Sequence, residues 1–364
     1  MGKVIVVSAI NIIDGGALTV LEDAIDSFSR NSKETDQVIF LVSSEQVHLN
    51  LNCRNITFKY FPNSKKSWLL RIFFEYIFFY FLSLKIKPDI WVSLHDVTPN
   101  VKAKKRFVYC HNPSPFLDFP LKDIPLDPKQ FIFSILYKYL YRINIKKNNF
   151  VITQQSWIAK EFSSMYGVNN FLIAEPDTAP PSILSATEDN KINDRYSVFY
   201  PAYPRYFKNH DIIYKVASST PEVDFILTIT GDETKYIRNV NKTYQSKNIK
   251  RTGRISRQEV YQFYNDVDAL IFPSLLETWG LPLTEFKHFN KPIIAADLPY
   301  AHETLGDYNK IYWFDPHSES SFKEAIARAS RGANPDKPVK IQTTFPKLVG
   351  WDALTKSILE EAAI

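Results

Sequence analysis

Short runs that are apolar almost throughout, separated by segments of helical period, constrain this chain more than any other feature. KVIVVSA at 3–9, QVIFLVS at 37–43, DIWVS at 89–93 and FVIT at 150–153 lack the apolar–polar alternation of a half-exposed sheet. Each needs cover on both faces, as a parallel strand has. Ile56–Tyr60 and Arg106–Tyr109 add two further strands, and ALTVLEDAIDSFSR, the aromatic run Trp68–Leu84 and Tyr137–Ile145 read as the helices between them. A second series follows: Ser197–Tyr200, a helix around His210–Ala217, Asp224–Thr230, Ile249–Arg251, Ala269–Phe272, Pro292–Ala295 and Ile311–Trp313. Its helices include Ser256–Asn265, opened by a capping box of Ser256 and Glu259, then Glu319–Arg331 and a last one at about 350–362. The chain has 364 residues, too many for one core and enough for two domains of roughly 150–200 each. The breaker-rich stretch AEPDTAPPS at 174–182 and the polar ATEDNKINDR after it mark the linker. The expected organisation is an N-terminal Rossmann-like domain over 1–185, a C-terminal one over 186–348, and a helix over 349–364 that crosses back to the first. Alternating strands and helices predict an α/β fold of two facing doubly wound domains, with a cleft between their carboxyl-end loops.

Charge and cysteine usage exclude several function classes. Lys plus Arg number 44 against 39 Asp plus Glu, a net charge of only +5. That excess argues against a nucleic-acid binder and suits a phosphate-bearing substrate or an anionic membrane surface. Cys53 and Cys110 are the only cysteines, too few for a metal quartet or a disulfide framework. The start MGKVIVVSAINIIDGG has no cleavage site behind it, so the expected location is the cytoplasm. Trp68–Leu84, WLLRIFFEYIFFYFLSL, approaches the length of a membrane span. Arg71 and Glu75, four apart, are expected to pair on one helix face, and a charge at mid-bilayer costs about 2.5–3.5 kcal/mol. A helix that covers one face of the sheet, or lies on a membrane surface, therefore fits better than a span. Lys65 and Lys66 at one end and Lys85 and Lys87 at the other bracket it, so an outer face with Lys65, Lys66 and Arg71 is expected to meet anionic lipid at the inner face of the cytoplasmic membrane.

The stretch 273–285, PSLLETWGLPLTE, carries the most chemistry. A buried strand ends at Pro273, Glu277 lies in the following loop, Gly280 permits a tight turn and Pro282 opens a helix. The N–H groups of Gly280, Leu281 and Leu283 are then expected near a helix N-terminus that favours phosphate, with Glu285 in the first turn and Glu277 at the same mouth. Taken alone, Glu285 offsets a helix dipole equally well and Glu277 is an ordinary loop carboxylate. Together, Glu277-x7-Glu285 and the flanking text RTGRISRQEVYQFYNDVDALIFPS, KPIIAADLPYAHETLGD and WFDP resemble the signature of family-4 retaining glycosyltransferases of GT-B fold. The resemblance spans about 196–316 strongly and the N-terminal half more weakly. It implies that Glu277 approaches the sugar hydroxyls of a nucleotide-sugar donor and that Glu285 holds the ribose. Trp279 stands where the family usually has Phe, and Asn290 where a Gly commonly precedes Lys/Arg-Pro, which bears on packing and donor choice.

In PAYPRYFKNHD at 201–211, Arg205 and Lys208 lie three apart where a loop enters a helix, placed to meet a donor diphosphate. The same pair also reads as solvated surface charge; the family's Arg and Lys after its first C-terminal strand favour the functional role. Gly15 and Gly16, after the first strand, are a tight turn or, as the family implies, a loop over the donor phosphates. His111 in CHNPSPF resembles the family's cleft histidine, which contacts the donor sugar. His95 and Asp96 end a neighbouring strand and are candidates for the acceptor. Gly253, Arg254 and Ile255 form a turn expected to meet the base through backbone groups. Asp266 and Asp268 have D-x-D spacing, but they join a helix to a strand and no metal is expected. The implied activity is metal-independent, retaining transfer of a sugar, a hexosyl or deoxyhexosyl group, from a UDP- or GDP-linked donor, with no further cofactor. Its acceptor is a saccharide or lipid-linked saccharide of bacterial O-antigen or capsule synthesis. The rivals are a nucleotide-sugar epimerase of the same fold and a non-catalytic nucleotide-sugar-binding subunit.

Overall fold

The computed structural model describes residues 2–12, 15–44, 54–64, 66–178 and 195–361. The chain divides into two compact units, one of Met1–Asn112, Leu136–Asp177 and Thr343–Ile364, the other of Pro113–Ile135 and Thr178–Gln342. This differs from the division expected from sequence: 113–135 group with the second unit, and the tail joins the first from Thr343 rather than 349. Cys53, Lys65 of the expected basic face, and most of the expected linker lie outside the described residues.

Seven strands of the first unit are β1 (Val4–Ala9), β2 (Gln37–Val42), β3 (Ile56–Tyr60), β4 (Ile90–Ser93), β5 (Lys105–Cys110), β6 (Phe150–Thr153) and β7 (Phe171–Glu175). The second unit holds β8 (Tyr196–Tyr200), β9 (Val223–Leu227), β10 (Ile249–Arg251), β11 (Ala269–Phe272), β12 (Ile293–Ala296) and β13 (Ile311–Phe314); β14 (Lys347–Val349) returns to the first sheet beside β7. The sheet orders are β14-β7-β6-β5-β4-β1-β2-β3 and β10-β9-β8-β11-β12-β13, and their strand pairs run parallel, as in Val7↔Phe40 and Leu270↔Ile293. Each sheet contains the order 3-2-1-4-5-6 of a doubly wound nucleotide-binding fold. The order reverses between β1 and β4 in one sheet and between β8 and β11 in the other, so loops at those carboxyl ends splay apart and leave room for a ligand.

Both faces of the first sheet are covered, as the unbroken apolar runs require. Ile5, Val7 and Ala9 of β1 join a core with Leu21, Phe28, Leu354 and Ile358, so the helices Gly15–Asn31 and Gly350–Glu361 close one face. Ser27 donates to Thr355 at 2.8 Å and Arg30 pairs with Asp352 at 2.8 Å, fastening those two helices together. Val6, Ile39 and Trp91 face the other way, onto Phe79 of the aromatic segment.

That segment starts at Trp68 behind Ser67, whose hydroxyl accepts from the Leu70 N–H at 3.2 Å, and ends at Lys87 in the left-handed region. Residues Phe74–Phe78 form a π-helical turn. The expected partnership of Arg71 with Glu75 is replaced by another. The Glu75 carboxylate meets Nε2 of His95, while Arg71 donates to the His95 carbonyl at 3.1 Å. Arg71 is buried, so it does not belong to an outward basic face. Both charged side chains lie buried beneath the segment, Arg71 from the α-helical turn and Glu75 from the π turn after it, and the buried His95 takes up the carboxylate there. Among the described residues no helix is long and apolar enough to cross a membrane.

Candidate active site

In the second unit, the loops after β8 and β11 are tied together before any charge is placed. Tyr200 donates to the Lys208 carbonyl at 3.0 Å and shares a 2.7 Å bond with the Ser274 hydroxyl. The Leu275 N–H donates to the Phe207 carbonyl at 2.7 Å, the Asn209 amide to the Pro273 carbonyl at 3.2 Å, and the Tyr300 hydroxyl to the Ser274 carbonyl at 2.6 Å. Burial, with the nearby Glu277 carboxylate adding, holds the Tyr200 and Tyr300 phenols well above their ordinary pKa, so both remain neutral donors. The ties set Lys208, at the end of a 3₁₀ turn, with its Nζ 2.5 Å from Oε1 of Glu277. Their side chains are 19% and 12% exposed. Among the described residues no donor reaches the second oxygen of Glu277. Arg205 is exposed, and among the described residues it has no ion pair. Lys208 and Glu277 are thus brought together, while Arg205 stands apart in solvent.

Glu285 has a different set of partners. Its Oε1 accepts from Arg257 at 3.1 Å and from Tyr261 at 3.4 Å, and its Oε2 from Tyr264 at 3.1 Å. Arg257, Tyr261 and Tyr264 are spaced four and three apart on the helix Arg257–Asp266 and share one face. Burial works against the Arg257 cation, but its bonds to Tyr261 and Glu285 leave it above its ordinary pKa; burial and then Glu285 push the Tyr264 phenol well up. Arg257 and the two tyrosines are absent from the sequence-based candidates, although their spacing within RQEVYQFY was a usable signal. The capping box of Ser256 and Glu259 that starts this helix forms as expected.

The expected phosphate cradle is smaller than foreseen. The helix Leu281–Lys287 has seven residues, Glu285 falls beyond its first turn, and the Leu283 N–H is taken by the Gly280 carbonyl at 2.9 Å. Leu283 is therefore withdrawn from the candidate donors, and Gly280 and Leu281 remain at the helix start. Gly280 has φ +85°, and a Cβ there would stand 3.3 Å from Leu283 and 3.4 Å from Phe272, which explains the glycine. The departures from the family pattern also have local causes. The Trp279 indole donates to the Thr284 hydroxyl at 2.8 Å inside the core. Asn290 sits at φ +54°, a left-handed position that Asn tolerates in place of Gly. At the base-side turn, the Gly253 N–H already donates to the Ile229 carbonyl at 3.2 Å, Arg254 is exposed and Ile255 is half-buried. Asp268 accepts from the Ser197 N–H at 2.8 Å, and among the described residues no group of three His, Cys, Asp or Glu is placed to hold a metal.

In the first unit, the helix holding Gly15 and Gly16 follows β1, His95 and Asp96 follow β4, and His111 follows β5, at the ends of three adjacent strands. The two glycines belong to the first turn of that helix rather than to a loop before it. Asp96, at φ +72°, accepts through Oδ1 from the N–H groups of His111 at 2.8 Å and Asn112 at 3.0 Å and from the Tyr141 hydroxyl at 2.8 Å. Its Oδ2 is 3.7 Å from Nε2 of His111. Both His95 and Asp96 are buried on internal partners. The expectation that they touch an acceptor is corrected: Asp96 holds the loop that carries His111, whose ring stays partly exposed, and His95 is turned onto Glu75 and Arg71. Burial, then Asp96, pushes the Cys110 thiol well above its usual pKa, which leaves it a core residue.

Two sheets of doubly wound order, with charged residues at their switch-point loops, define an α/β protein of the GT-B fold. Residues 185–342 match the family model described as "Glycosyl transferases group 1", and this stretch is a group 1 glycosyltransferase domain. Over 275 residues, 72% of each chain, the sequence is 22% identical to the O-antigen chain mannosyltransferase RfbU of Salmonella typhimurium. Among solved structures, the lipopolysaccharide outer core galactosyltransferase WaaB superposes with a TM-score of 0.61 at 16% identity, covering 99% of both chains. Sucrose-phosphate synthase from Thermosynechococcus elongatus gives 0.62 at 11%, covering 99% of this chain and 94% of its own.

Proposed function

We propose that the protein is a retaining, metal-independent glycosyltransferase that moves a hexosyl or deoxyhexosyl group from a UDP- or GDP-linked donor. The acceptor is a hydroxyl of a saccharide or lipid-linked saccharide in bacterial surface polysaccharide synthesis. The observation that carries this reading is the Lys208–Glu277 pair, at the switch point of the group 1 domain. An ammonium fixes one carboxylate oxygen and the other remains an acceptor for a sugar hydroxyl. In the reaction, a bond forms between the acceptor oxygen and the anomeric carbon on the face where the diphosphate leaves. The bond from that carbon to the phosphate oxygen breaks with its electron pair, and the departing phosphate takes the acceptor's proton. Arg205 and Lys208 stabilise charge developing on the diphosphate, Gly280 and Leu281 offer N–H groups to it, Glu277 orients the sugar and Glu285 holds the ribose. An acceptor on a lipid carrier places the work at the inner face of the cytoplasmic membrane.

The test begins with a thermal-shift screen of UDP-, GDP- and dTDP-sugars, because a ligand at 100 times its dissociation constant adds about 2.7 kcal/mol. Transfer is then followed in excess chelator, and the anomeric configuration of the product is assigned by NMR. An inverted product, or turnover restored only by Mn²⁺ or Mg²⁺, overturns the mechanism; interconversion of free nucleotide sugars without transfer would favour an epimerase.

A further inference from the structure

In the first unit, the aromatic segment and the part of a second helix from Leu136 onward expose apolar side chains that their own packing does not need. On the aromatic segment, Leu69 is 78% exposed and Phe81 64%, with Ile72, Phe73, Ile77 and Leu84 open beside them. Its opposite face is already packed, since Arg71, Glu75, Phe79 and Ser83 are buried. The helix Pro128–Arg142 behaves alike: Tyr137 and Tyr141 are buried, whereas Leu136, Tyr139 and, just beyond its end, Ile143 are exposed. The Trp68 ring meets Tyr137 edge-on at 6.3 Å, so the two outward faces adjoin.

Charge says what such a face meets. Over 66–87 the exposed charges are Lys66, Lys85 and Lys87, and over 136–147 they are Lys138, Arg142, Lys146 and Lys147. The single acid in either stretch, Glu75, is buried against His95. An apolar strip of aromatic and aliphatic side chains, rimmed by cations and free of exposed acids, has the composition of a helix lying in the headgroup region of an anionic bilayer. We propose that these two helix faces form one docking surface for an anionic lipid membrane. Compared with the sequence expectation, the surface loses Arg71 and gains a second helix, whose Leu136, Lys138, Tyr139 and Arg142 showed no sign of it in the sequence. The proposal deepens the reading of a membrane-held acceptor and rests on it for purpose only.

Vesicle flotation of the full chain tests it, with phosphatidylcholine alone against phosphatidylcholine mixed with phosphatidylglycerol, at low and high salt. Flotation is expected with the anionic mixture in low salt and is lost in high salt. Lys138→Gln with Arg142→Gln, both on the surface, should weaken partitioning by about fivefold per cation removed, about 25-fold together, from about 1 kcal/mol for each basic residue at an anionic surface. Leu69→Asp with Phe81→Asp should abolish it while the melting temperature and nucleotide binding stay as in the parent. Binding indifferent to lipid charge, or absent in low salt, overturns the proposal. So does a dimer that Leu69→Asp with Phe81→Asp converts to monomer without any lipid binding, since a second copy then covers the face. Vesicle binding without sugar transfer refutes the enzymatic reading alone, and transfer to a soluble acceptor without vesicle binding refutes the docking surface alone.

Discussion

The Lys208–Glu277 pair yields the sharpest prediction, because stability and activity should separate at it. With Nζ 2.5 Å from Oε1 and side chains only 19% and 12% exposed, each charge depends on the other. Removing one partner of a buried pair costs about 3–5 kcal/mol; the remaining exposure puts Lys208→Met or Glu277→Gln at about 2–4 kcal/mol. The double variant leaves no orphaned charge, so its cost should fall below the sum of the singles by about 1–3 kcal/mol. Urea unfolding of the full chain measures all four corners of the cycle. Additivity within about 0.5 kcal/mol would refute the idea that the two groups are held as a unit. Arg205 supplies the contrast. It is exposed and has no ion pair among the described residues, so Arg205→Ala should change stability by less than about 0.5 kcal/mol. If it meets the developing diphosphate charge, it should nevertheless lose about 2.7–4 kcal/mol of transition-state stabilisation, roughly 100- to 1,000-fold in kcat/KM. Near-normal kcat/KM in both Arg205→Ala and Lys208→Met would remove these residues from the phosphate site.

Glu285→Ala should weaken binding of free nucleotide, and Tyr264→Phe should raise donor KM more than it lowers kcat; calorimetry showing equal nucleotide affinity for the parent and Glu285→Ala excludes the ribose role. The buried His210, pushed down to about 3 by burial with Lys208 adding, gives a pH dependence. Below its ordinary pKa of 6.5 the unfolded chain takes up a proton that the folded chain refuses, so stability falls as pH drops from 6.5 towards 3, by about 2 kcal/mol at pH 5. His210→Phe should flatten that acid limb relative to its own value at pH 7, and an unchanged slope in denaturation at the two pH values would count against it. Asp96→Ala forfeits an acceptor for three donors and leaves φ +72° to a residue without the short polar side chain that makes that backbone tolerable, so thermal unfolding should show a loss of about 2–5 kcal/mol. Asp96→Asn, which tolerates that backbone and keeps one acceptor oxygen, should lose clearly less.

The strands were legible because burial on both faces writes itself into composition. Expected Ala269–Phe272 coincides with β11, and expected Ser197–Tyr200 falls one residue inside β8. Elements whose burial is supplied by others were not legible. β14 has three residues at a sheet edge and no apolar run, and exists through its pairing with β7. Lys235–Thr243 carries only three buried positions among polar residues, and Pro299–Leu305 is too short to show a period. The breaker-rich stretch read as linker from 174 in fact begins with the last two residues of β7, since an AE pair says nothing about the strand beside it.

Candidate site residues could be read from their place after strands, but their partners could not, because each partner comes from a distant loop or helix. Lys208 meets Glu277 across 69 positions, and Arg257 and Tyr264 meet Glu285 across 28 and 21. Sequence spacing foresaw two local pairings: the Ser256–Glu259 capping box forms, whereas Glu75 meets His95, 20 residues away, in place of Arg71. The consequence for the chemistry is specific. Glu277 is held through one oxygen and Glu285 through both, so under the proposed roles neither would have to be reorganised by a ligand. Asp96 is spent wholly on shaping the loop that carries His111. A carboxylate free to rotate would have fitted the same sequence, but it would have to lose that freedom at the moment of binding; the arrangement here has already lost it in folding.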